Sequence, residues 1–252
     1  ILPLGETDIV YSQIGDCYNA RGPPLHANHS NSFGNNFNLD LSSYWTGQGT
    51  NNNWSDPDNW DSGIVPAQFD TVFFDGIPGL YPNSNSFIDP AFSGTVTNFI
   101  IDGYAGSITL GRDFTITNNI TLNSGLLRGT AEGGGEAISI LVGGNWAGNG
   151  GIFEAGNSTV VFYNVLKSSQ ISGNNVFYNF ICTTPSKQIF FEAGQTTTIT
   201  GIFKLQGSYG DHVRLLSSAQ GEQWYIDPQG VRDITYTWVE DSYNFDDAKI
   251  MM

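Results

Sequence analysis

The stretch GIFEAGNSTVVFYNVLKSSQISGNNVFYNFICTTPSKQIFFEAGQTTTITGIFKLQG, residues 151–207, carries the pattern that decides the fold. Short runs of β-branched and aromatic residues alternate in it with turns rich in Gly, Asn and Ser. The same texture extends from about Phe87 to the end of the chain. Strands that recur about every 8–12 residues are typical of a sandwich, a barrel or a stacked coil.

Internal self-similarity distinguishes between these architectures. FEAG at residues 153–156 returns 38 residues later, NFII at 98–101 resembles NFIC 81 residues later, and ITNNITLN from Ile116 resembles ITGIFKLQ from Ile199. These offsets share a divisor of about 20 residues, the length of a solenoid coil with three short strands. We therefore expect an all-β fold, a parallel β-solenoid (a right-handed β-helix) of about seven coils. A β-sandwich or jelly roll is the alternative.

Composition and charge exclude some functions. The chain has 252 residues, with 9 Lys plus Arg against 24 Asp plus Glu, and a formal net charge of −15. Residues 22–111 contain no Lys or Arg, so that stretch cannot form the basic face that nucleic-acid binding requires. The sequence also has no run of 18 apolar residues, so we expect no transmembrane segment.

The chain divides into three regions. We expect an extended N-terminal arm at residues 1–43, a Trp-rich opening or capping module at 44–86, and solenoid repeats at 87–252. Ile9 and Tyr11 alternate like a strand near the start of the arm. This strand could add to a sheet edge of the same or a neighbouring subunit, the alternative being a loosely packed terminal arm.

The opening module carries a family resemblance. The segment YWTGQGTNNNWSDPDNWDSGIVPAQFDTVFF, residues 44–74, resembles the W-T-G…NW…NW…VP…D-x-V-x-F module of secreted bacterial cell-surface proteins. These are β-solenoid proteins of the autotransporter or adhesin-like type, and the likeness covers residues 44–245. It implies export, an extracellular or cell-surface location and a solenoid form, but no reaction. The polar arm before Tyr44 departs from the family pattern.

Two sets of residues in the module are candidate ligands. Asp56, Asp58 and Asp61 lie in a turn-rich segment where carboxylate and carbonyl oxygens could converge on calcium, and a turn network without an ion is the alternative. Trp45, Trp54 and Trp60 could stack on sugar rings, or else serve as core or coil-capping residues.

Cys17 and Cys182 are the only cysteines. One long-range disulfide between them is an open alternative to two separate thiols. No CxxC spacing indicates a metal site.

The expected function is structural. Edge strands at the ends of a solenoid expose unpaired backbone groups, which favours assembly with copies of the same chain. We therefore expect an extracellular, non-enzymatic subunit of a filament, sheath or surface layer. The alternatives are a glycan-binding adhesin module, with aromatic residues in a row on one face, and a polysaccharide-degrading β-helix enzyme, with acidic residues clustered in a groove.

Overall fold

The structure is a computed structural model that describes residues 9, 12–18, 25–27, 31–32, 39–40, 42–76, 85–130 and 137–245. Within these ranges every regular element is a strand, apart from one turn of 3₁₀ helix at Pro57–Asn59. The strands are β1 Gln13–Ile14, β2 Leu25–His26, β3 Asn31–Ser32, β4 Leu39–Asp40, β5 Ser42–Tyr44, β6 Thr71–Phe74, β7 Ser86–Ile88, β8 Thr95–Val96, β9 Asn98–Ile101, β10 Ser107–Leu110, β11 Phe114–Ile116, β12 Ile120–Leu122, β13 Leu126–Arg128, β14 Ser139–Val142, β15 Trp146–Ala147, β16 Ile152–Glu154, β17 Thr159–Phe162, β18 Ser169–Ser172, β19 Asn175–Phe177, β20 Asn179–Cys182, β21 Gln188–Phe191, β22 Thr196–Ile199, β23 Ile202–Gln206, β24 Val213–Ser217, β25 Trp224–Pro228, β26 Val231–Thr235, β27 Thr237–Val239 and β28 Ser242–Asn244.

From β7 onward the chain visits three sheets in a fixed order. Sheet A contains nine strands, β5, β6, β9, β12, β15, β18, β21, β24 and β27, and sheet B contains seven, β8, β11, β14, β17, β20, β23 and β26. Sheet C has two four-stranded parts, one of β7, β10, β13 and β16 and the other of β19, β22, β25 and β28. Each coil contributes one strand to sheet C, then one to sheet B, then one to sheet A.

All pairs between the named strands that the structure describes are parallel, as for Val160 beside Phe180 and Phe180 beside Phe203 in sheet B. The fold is therefore a parallel β-solenoid, as expected, and the sandwich or jelly-roll alternative is wrong. Six complete turns join the seven strands of sheet B, slightly fewer than the seven coils expected.

The reason given for the repeat was partly wrong. The step between paired residues of the three sheets varies from 18 residues, Trp224 to Ser242, to 29 residues, Phe203 to Arg232. The matching segments NFII and NFIC form β9 in sheet A and β20 in sheet B, so they are not equivalent rungs. What recurs in the sequence is the single strand with its turn, and the coil contains three of these units.

The core follows from the alternation of residues along each strand. In sheet B the inward positions of successive coils pair directly, and those from β11 to β23 are at most 1% exposed. Burial of this apolar surface stabilises the stack, because each rung covers the rung below it. This inward row comprises Phe114, Ile140, Val160, Phe180 and Phe203.

A ladder of side-chain amides fixes one corner of the solenoid, between sheets B and A. The Oδ1 atom of Asn98 accepts the backbone N–H of Asn119 at 3.2 Å. Asn119 Oδ1 in turn accepts the N–H of Asn145 at 2.9 Å, and Asn145 Oδ1 accepts the N–H of Gln170 at 2.8 Å. Each amide thus satisfies the turn of the next coil, where the backbone leaves the sheet ladder.

The opening module extends the solenoid. Strand β6 pairs with β9, and β5 pairs with β6, so both strands lengthen sheet A. Because β5 begins at Ser42, it crosses the expected boundary between residues 43 and 44. Within the arm, β1 pairs with β3 and β2 with β4, also in parallel. The three-part division of the chain stays a prediction.

Candidate functional site

The two ends of the solenoid differ, and the first end is filled by tryptophan. Trp45, Trp54 and Trp60 are 1%, 0% and 3% exposed. Trp54 and Trp60 meet edge to face at 5.2 Å, and Trp54 also packs against Phe74 and Phe114. These rings pack onto the aromatic core of the first coil, and the role of the module as a cap stays a prediction.

The expectation that these three residues bind glycans is therefore wrong. A sugar stacks on an exposed ring face, and burial leaves no such face on Trp45, Trp54 or Trp60. The indole N–H groups of two of them are used internally: Trp60 donates to Trp54 O at 2.8 Å and Trp54 donates to Ser86 Oγ at 3.2 Å.

The calcium site at Asp56, Asp58 and Asp61 stays a prediction, and the carboxylates of two of these residues bond within the module. Asp56 caps the 3₁₀ turn, accepting the N–H of Asp58 at 3.1 Å, and its other oxygen accepts from Asn51 Nδ2 at 2.9 Å. Asp61 accepts the N–H of Tyr44 at 2.9 Å. Among the described residues, no group of three or more His, Cys, Asp and Glu side chains could hold a metal ion. These bonds are those of the turn network offered as the alternative.

Of the two alternatives left open for the cysteines, the structure has two separate thiols. Cys17 and Cys182 are both buried, and no disulfide joins them. Cys182 is the last residue of β20 and occupies an inward position, paired with Leu205 of the next coil. Burial raises the pKa of its thiol, so this cysteine is an apolar core residue.

A buried lysine was missed by the sequence reasoning. Lys187 is fully buried at the corner between sheets B and A, and its Nζ donates to Asn164 O at 2.9 Å and to Lys167 O at 2.5 Å. It thereby ties its own turn to the turn of the preceding coil. Burial lowers its pKa to about 8. Nothing in the local sequence TTPSKQ distinguishes this side chain from a surface lysine.

The second end is formed by the last coil, which we call the terminal coil, residues 224–245. Its strands β26, β27 and β28 are each the last strand of their sheet among the described residues. Each of these strands therefore has a described neighbouring strand on one side only. Three edge strands meet at this end of the described solenoid.

An apolar opening lies between these edges. It is small, with a volume of about 20 Å³. Ile234 and Val239 occupy inward positions beside it and are partly buried, with no further coil above them among the described residues. The opening is lined by Phe203, Leu205, Leu215, Trp224, Ile226, Ile234, Val239 and Ser242.

The terminal coil also carries exposed apolar side chains. Four aromatic residues of the terminal coil are about half exposed, and Val231 at the start of β26 is 67% exposed. Their signal in the sequence is the outward alternation in DITYTWVEDSYNF. The four aromatic residues are Tyr236, Trp238, Tyr243 and Phe245.

The charges of the terminal coil are mostly paired at its rim. Asp233 accepts a hydrogen bond from Lys204 Nζ at 3.0 Å. This contact is the main reason why the pKa of the Asp233 carboxyl is lowered. The guanidinium of Arg214 lies 5.9 Å from the centre of the Trp238 ring. The Trp238 indole N–H donates to Glu240 Oε1 at 2.7 Å.

Of the two arm residues expected to take part in assembly, Ile9 and Tyr11, the structure describes one. Ile9 is described as half-buried and has no strand assignment. Tyr11 lies outside the described residues. Their role in strand addition stays a prediction.

Comparisons with protein-family models, with curated proteins and with solved structures found no match for this chain. Among the residues that the structure describes, no helix is long and apolar enough to cross a membrane.

Proposed function

We propose that the protein is an extracellular structural subunit that assembles with copies of itself into a filament, sheath or surface layer. The terminal coil is the observation that carries this proposal. Among the described residues it combines three strands that are the last of their sheets, a small apolar opening and four half-exposed aromatic residues. Uncovered sheet edges next to apolar surface favour pairing with another chain.

The difference between the two ends supports the same proposal. At the first end, the three buried tryptophans fill the axis. Among the described residues, such a group of buried tryptophans is found at the first end of the solenoid only. An extracellular location is supported by the composition, because the polar residues are mainly Asn, Thr, Ser and Gly. The resemblance of residues 44–74 to the opening module of exported surface proteins supports it as well.

The test is the mass of the chain in solution as a function of concentration. We expect association, weakened at least about tenfold by Val231→Asp, a factor that corresponds to 1.4 kcal/mol. The charge would lie on the free edge of β26 and lose its water on contact. Because Val231 is 67% exposed, this change leaves the fold of the monomer intact.

Ile152→Asp is the matched control. Ile152 is 61% exposed on β16, three coils from the end. We expect Ile152→Asp to associate like the parent chain, with both variants keeping the same β-rich circular dichroism. A chain that stays monomeric at every concentration, or equal weakening by both variants, would contradict the proposal.

A filament needs a second contact, and we propose that the arm supplies it. Ile9 and Tyr11 would add as a strand to a neighbouring subunit. With the arm at one end of the solenoid and the terminal coil at the other, each subunit would make two contacts. We expect Ile9→Asp to stop growth beyond small oligomers in the same mass measurement.

One observation favours glycan binding as a second candidate function. Tyr225, Tyr243 and Phe245 lie together, with ring centres 5.3–6.1 Å apart. Tyr225 and Tyr243 are paired outward residues on neighbouring strands of sheet C. Such a row could stack on successive sugar rings.

Glycan binding is tested with a panel of immobilised polysaccharides. Binding that is lost in Tyr243→Ser but retained in Ile152→Asp would favour this candidate. Release of reducing sugars from the same panel would indicate the enzymatic alternative instead.

A further inference from the structure

Three consecutive turns between sheets B and A are longer than the other described turns at that corner. One residue follows β8 and three residues follow each of β11 and β14, whereas six follow β17, five follow β20 and six follow β23. A longer turn carries the backbone further from the sheets before it returns. These three turns therefore form a ridge on the side of the solenoid, which we call the turn ridge, residues 163–168, 183–187 and 207–212.

Exposed apolar side chains lie on each turn of the ridge, and every residue of the three turns is described. Leu166 and Tyr209 are each 90% exposed, Val165 is 49% exposed, and Pro185 of the middle turn is exposed as well. Leu166 and Tyr209 lie two coils apart, which corresponds to about 10 Å along the axis. A continuous exposed apolar patch of this kind indicates an interaction surface.

Hydrogen bonds between the turns hold the ridge in shape. Lys187 Nζ donates to Asn164 O at 2.9 Å and to Lys167 O at 2.5 Å, so the middle turn fixes the first. Ser186 Oγ donates to Asp211 Oδ1 at 2.9 Å, so the middle turn also fixes the third. A surface that is already ordered loses less conformational entropy when it binds a partner. The buried lysine thus supports the turns that carry the exposed apolar side chains.

We propose that the turn ridge binds the turn ridge of a second copy, side by side, across a two-fold axis at the middle turns. This inference rests on the proposed function and adds a side contact to it. A sheath or a surface layer requires such a contact, because strand edges at the ends of a solenoid extend an assembly along its axis only.

The order of the three turns gives the contact its geometry. A two-fold axis perpendicular to the solenoid axis makes the two solenoids run in opposite directions. Leu166 of one copy then faces Tyr209 of the other, because these residues lie one coil to either side of the middle turn. By the same symmetry Lys167 faces Asp211 of the other copy, so charges of opposite sign meet beside the apolar side chains.

Charge favours the turn ridge as the place where two acidic copies meet. The ridge contains two basic residues, Lys167 and Lys187, and one acidic residue, Asp211, whereas the whole chain carries a net charge of −15. Two copies therefore repel each other less at this surface than the net charge of the chain would give.

The exposed area indicates a contact of moderate size. Leu166, Tyr209 and Val165 leave roughly 400 Å² of surface uncovered, and Pro185 and the turn backbone add to it. A standard interface buries about 800 Å² per partner, so the side contact alone should dimerise the chain only at high concentration. Repetition of the contact along an assembly would strengthen it.

The test uses Leu166→Asp in the Val231→Asp background, in which the end contact is weakened. Val231→Asp alone should still form dimers at high concentration. Adding Leu166→Asp should raise the dissociation constant at least about tenfold, because the new charge would lose its water in the contact. Leu166 is 90% exposed, so the fold of the monomer stays intact. Ile152→Asp in the same background is the matched control and should leave the dissociation constant unchanged.

Equal dimerisation of the two double variants would overturn the inference and leave the proposed function standing. A parent chain that associates while Val231→Asp stays monomeric would have the same meaning. A parent chain that stays monomeric at every concentration would remove both.

The two-fold arrangement is tested with single cysteines and a bis-maleimide cross-linker. Thr183→Cys places an exposed thiol in the middle turn, and Ile152→Cys places one on sheet C as the control. The natural Cys17 and Cys182 are buried, so the parent chain gives the background. We expect a cross-linked dimer from Thr183→Cys, its yield reduced at least about tenfold by Leu166→Asp, and none from Ile152→Cys. Association that depends on Leu166 but gives no Thr183→Cys dimer would show that the ridge meets a different surface, and would overturn the two-fold contact.

Discussion

At the scale of single residues, polar side chains of this protein mainly satisfy backbone groups of the turns. Asp56 and Lys187 bond to turn backbone and Asp61 to the last residue of β5, whether or not their sequence context suggests a ligand site. Asp56 and Asp61 were recognisable as turn residues because DPDNWD is rich in Asx and Pro. Lys187 was not, because the coil that encloses it is formed by residues distant in the sequence.

Lys187 makes stability depend on pH. Burial lowers its pKa to about 8, below the ordinary value of 10.5, so between these values the folded chain binds fewer protons than the unfolded chain. The free energy of unfolding should therefore rise with pH above about 8. Above the ordinary pKa of 9.0 for a thiol, the raised pKa of Cys182 acts in the opposite direction.

Urea unfolding at closely spaced pH values from 8 to 9 should show this rise. Lys187→Met should abolish it, whatever its effect on absolute stability. A rise of equal slope in Lys187→Met would show that another group is responsible.

The aspartates of the cap should act without a metal. Asp56→Ala removes two acceptors and should lower the free energy of unfolding by about 1 kcal/mol, as for other lost caps. Addition of a chelator should leave the thermal transition of the parent chain unchanged. A transition lowered by the chelator and restored by calcium would contradict the turn network as the sole role of Asp56, Asp58 and Asp61.

At the scale of elements, the sequence predicts the single strands better than it predicts which strands form one coil. The NFII and NFIC segments are β9 and β20, eleven strands apart, which is not a multiple of the three strands in a coil. The turns between sheets B and A differ in length, with one residue after β8 and six residues after β17. The coil therefore has no constant length that the sequence could reveal. The sequence thus predicted the solenoid from recurring strands, while the alignment of strands into sheets depended on turns of unequal length.

The amide ladder should contribute measurably to stability. Asn119→Ala leaves the N–H of Asn145 without its acceptor, and we expect a loss of about 1 kcal/mol in the free energy of unfolding. Asn119→Asp keeps a side-chain oxygen at the same position and should retain most of this stability. If the two variants unfold alike, the ladder bond is not the cause of the loss.

At the scale of the whole molecule, shape and charge act against each other. The open end favours contact, but every copy carries a net charge of −15. The terminal coil itself contains one basic residue, Arg232, and the acidic residues Asp227, Asp233, Glu240 and Asp241. The sequence alone could locate the charge but not the open end, which depends on where the last rung of each sheet lies.

Association should therefore strengthen as salt is added. Sodium chloride screens the repulsion between like-charged copies, with a screening length of about 10 Å at 0.1 M, while leaving apolar contact intact. Sedimentation velocity at low and moderate ionic strength should show a larger average mass at the higher value. A smaller mass at higher salt would indicate that ion pairs between copies hold the assembly together.

The last rung that the structure describes also predicts where unfolding begins. In a stack where each rung touches only its neighbours, opening begins where one neighbour is missing and proceeds inward. Backbone amides of β26 and β27 should exchange with deuterium first. Those of β9 and β12 should exchange last, because these strands lie between the buried tryptophans and the middle rungs. Because the other rungs would open only after the last one, a partner bound to the last rung would slow amide exchange throughout the solenoid and not only at the contact.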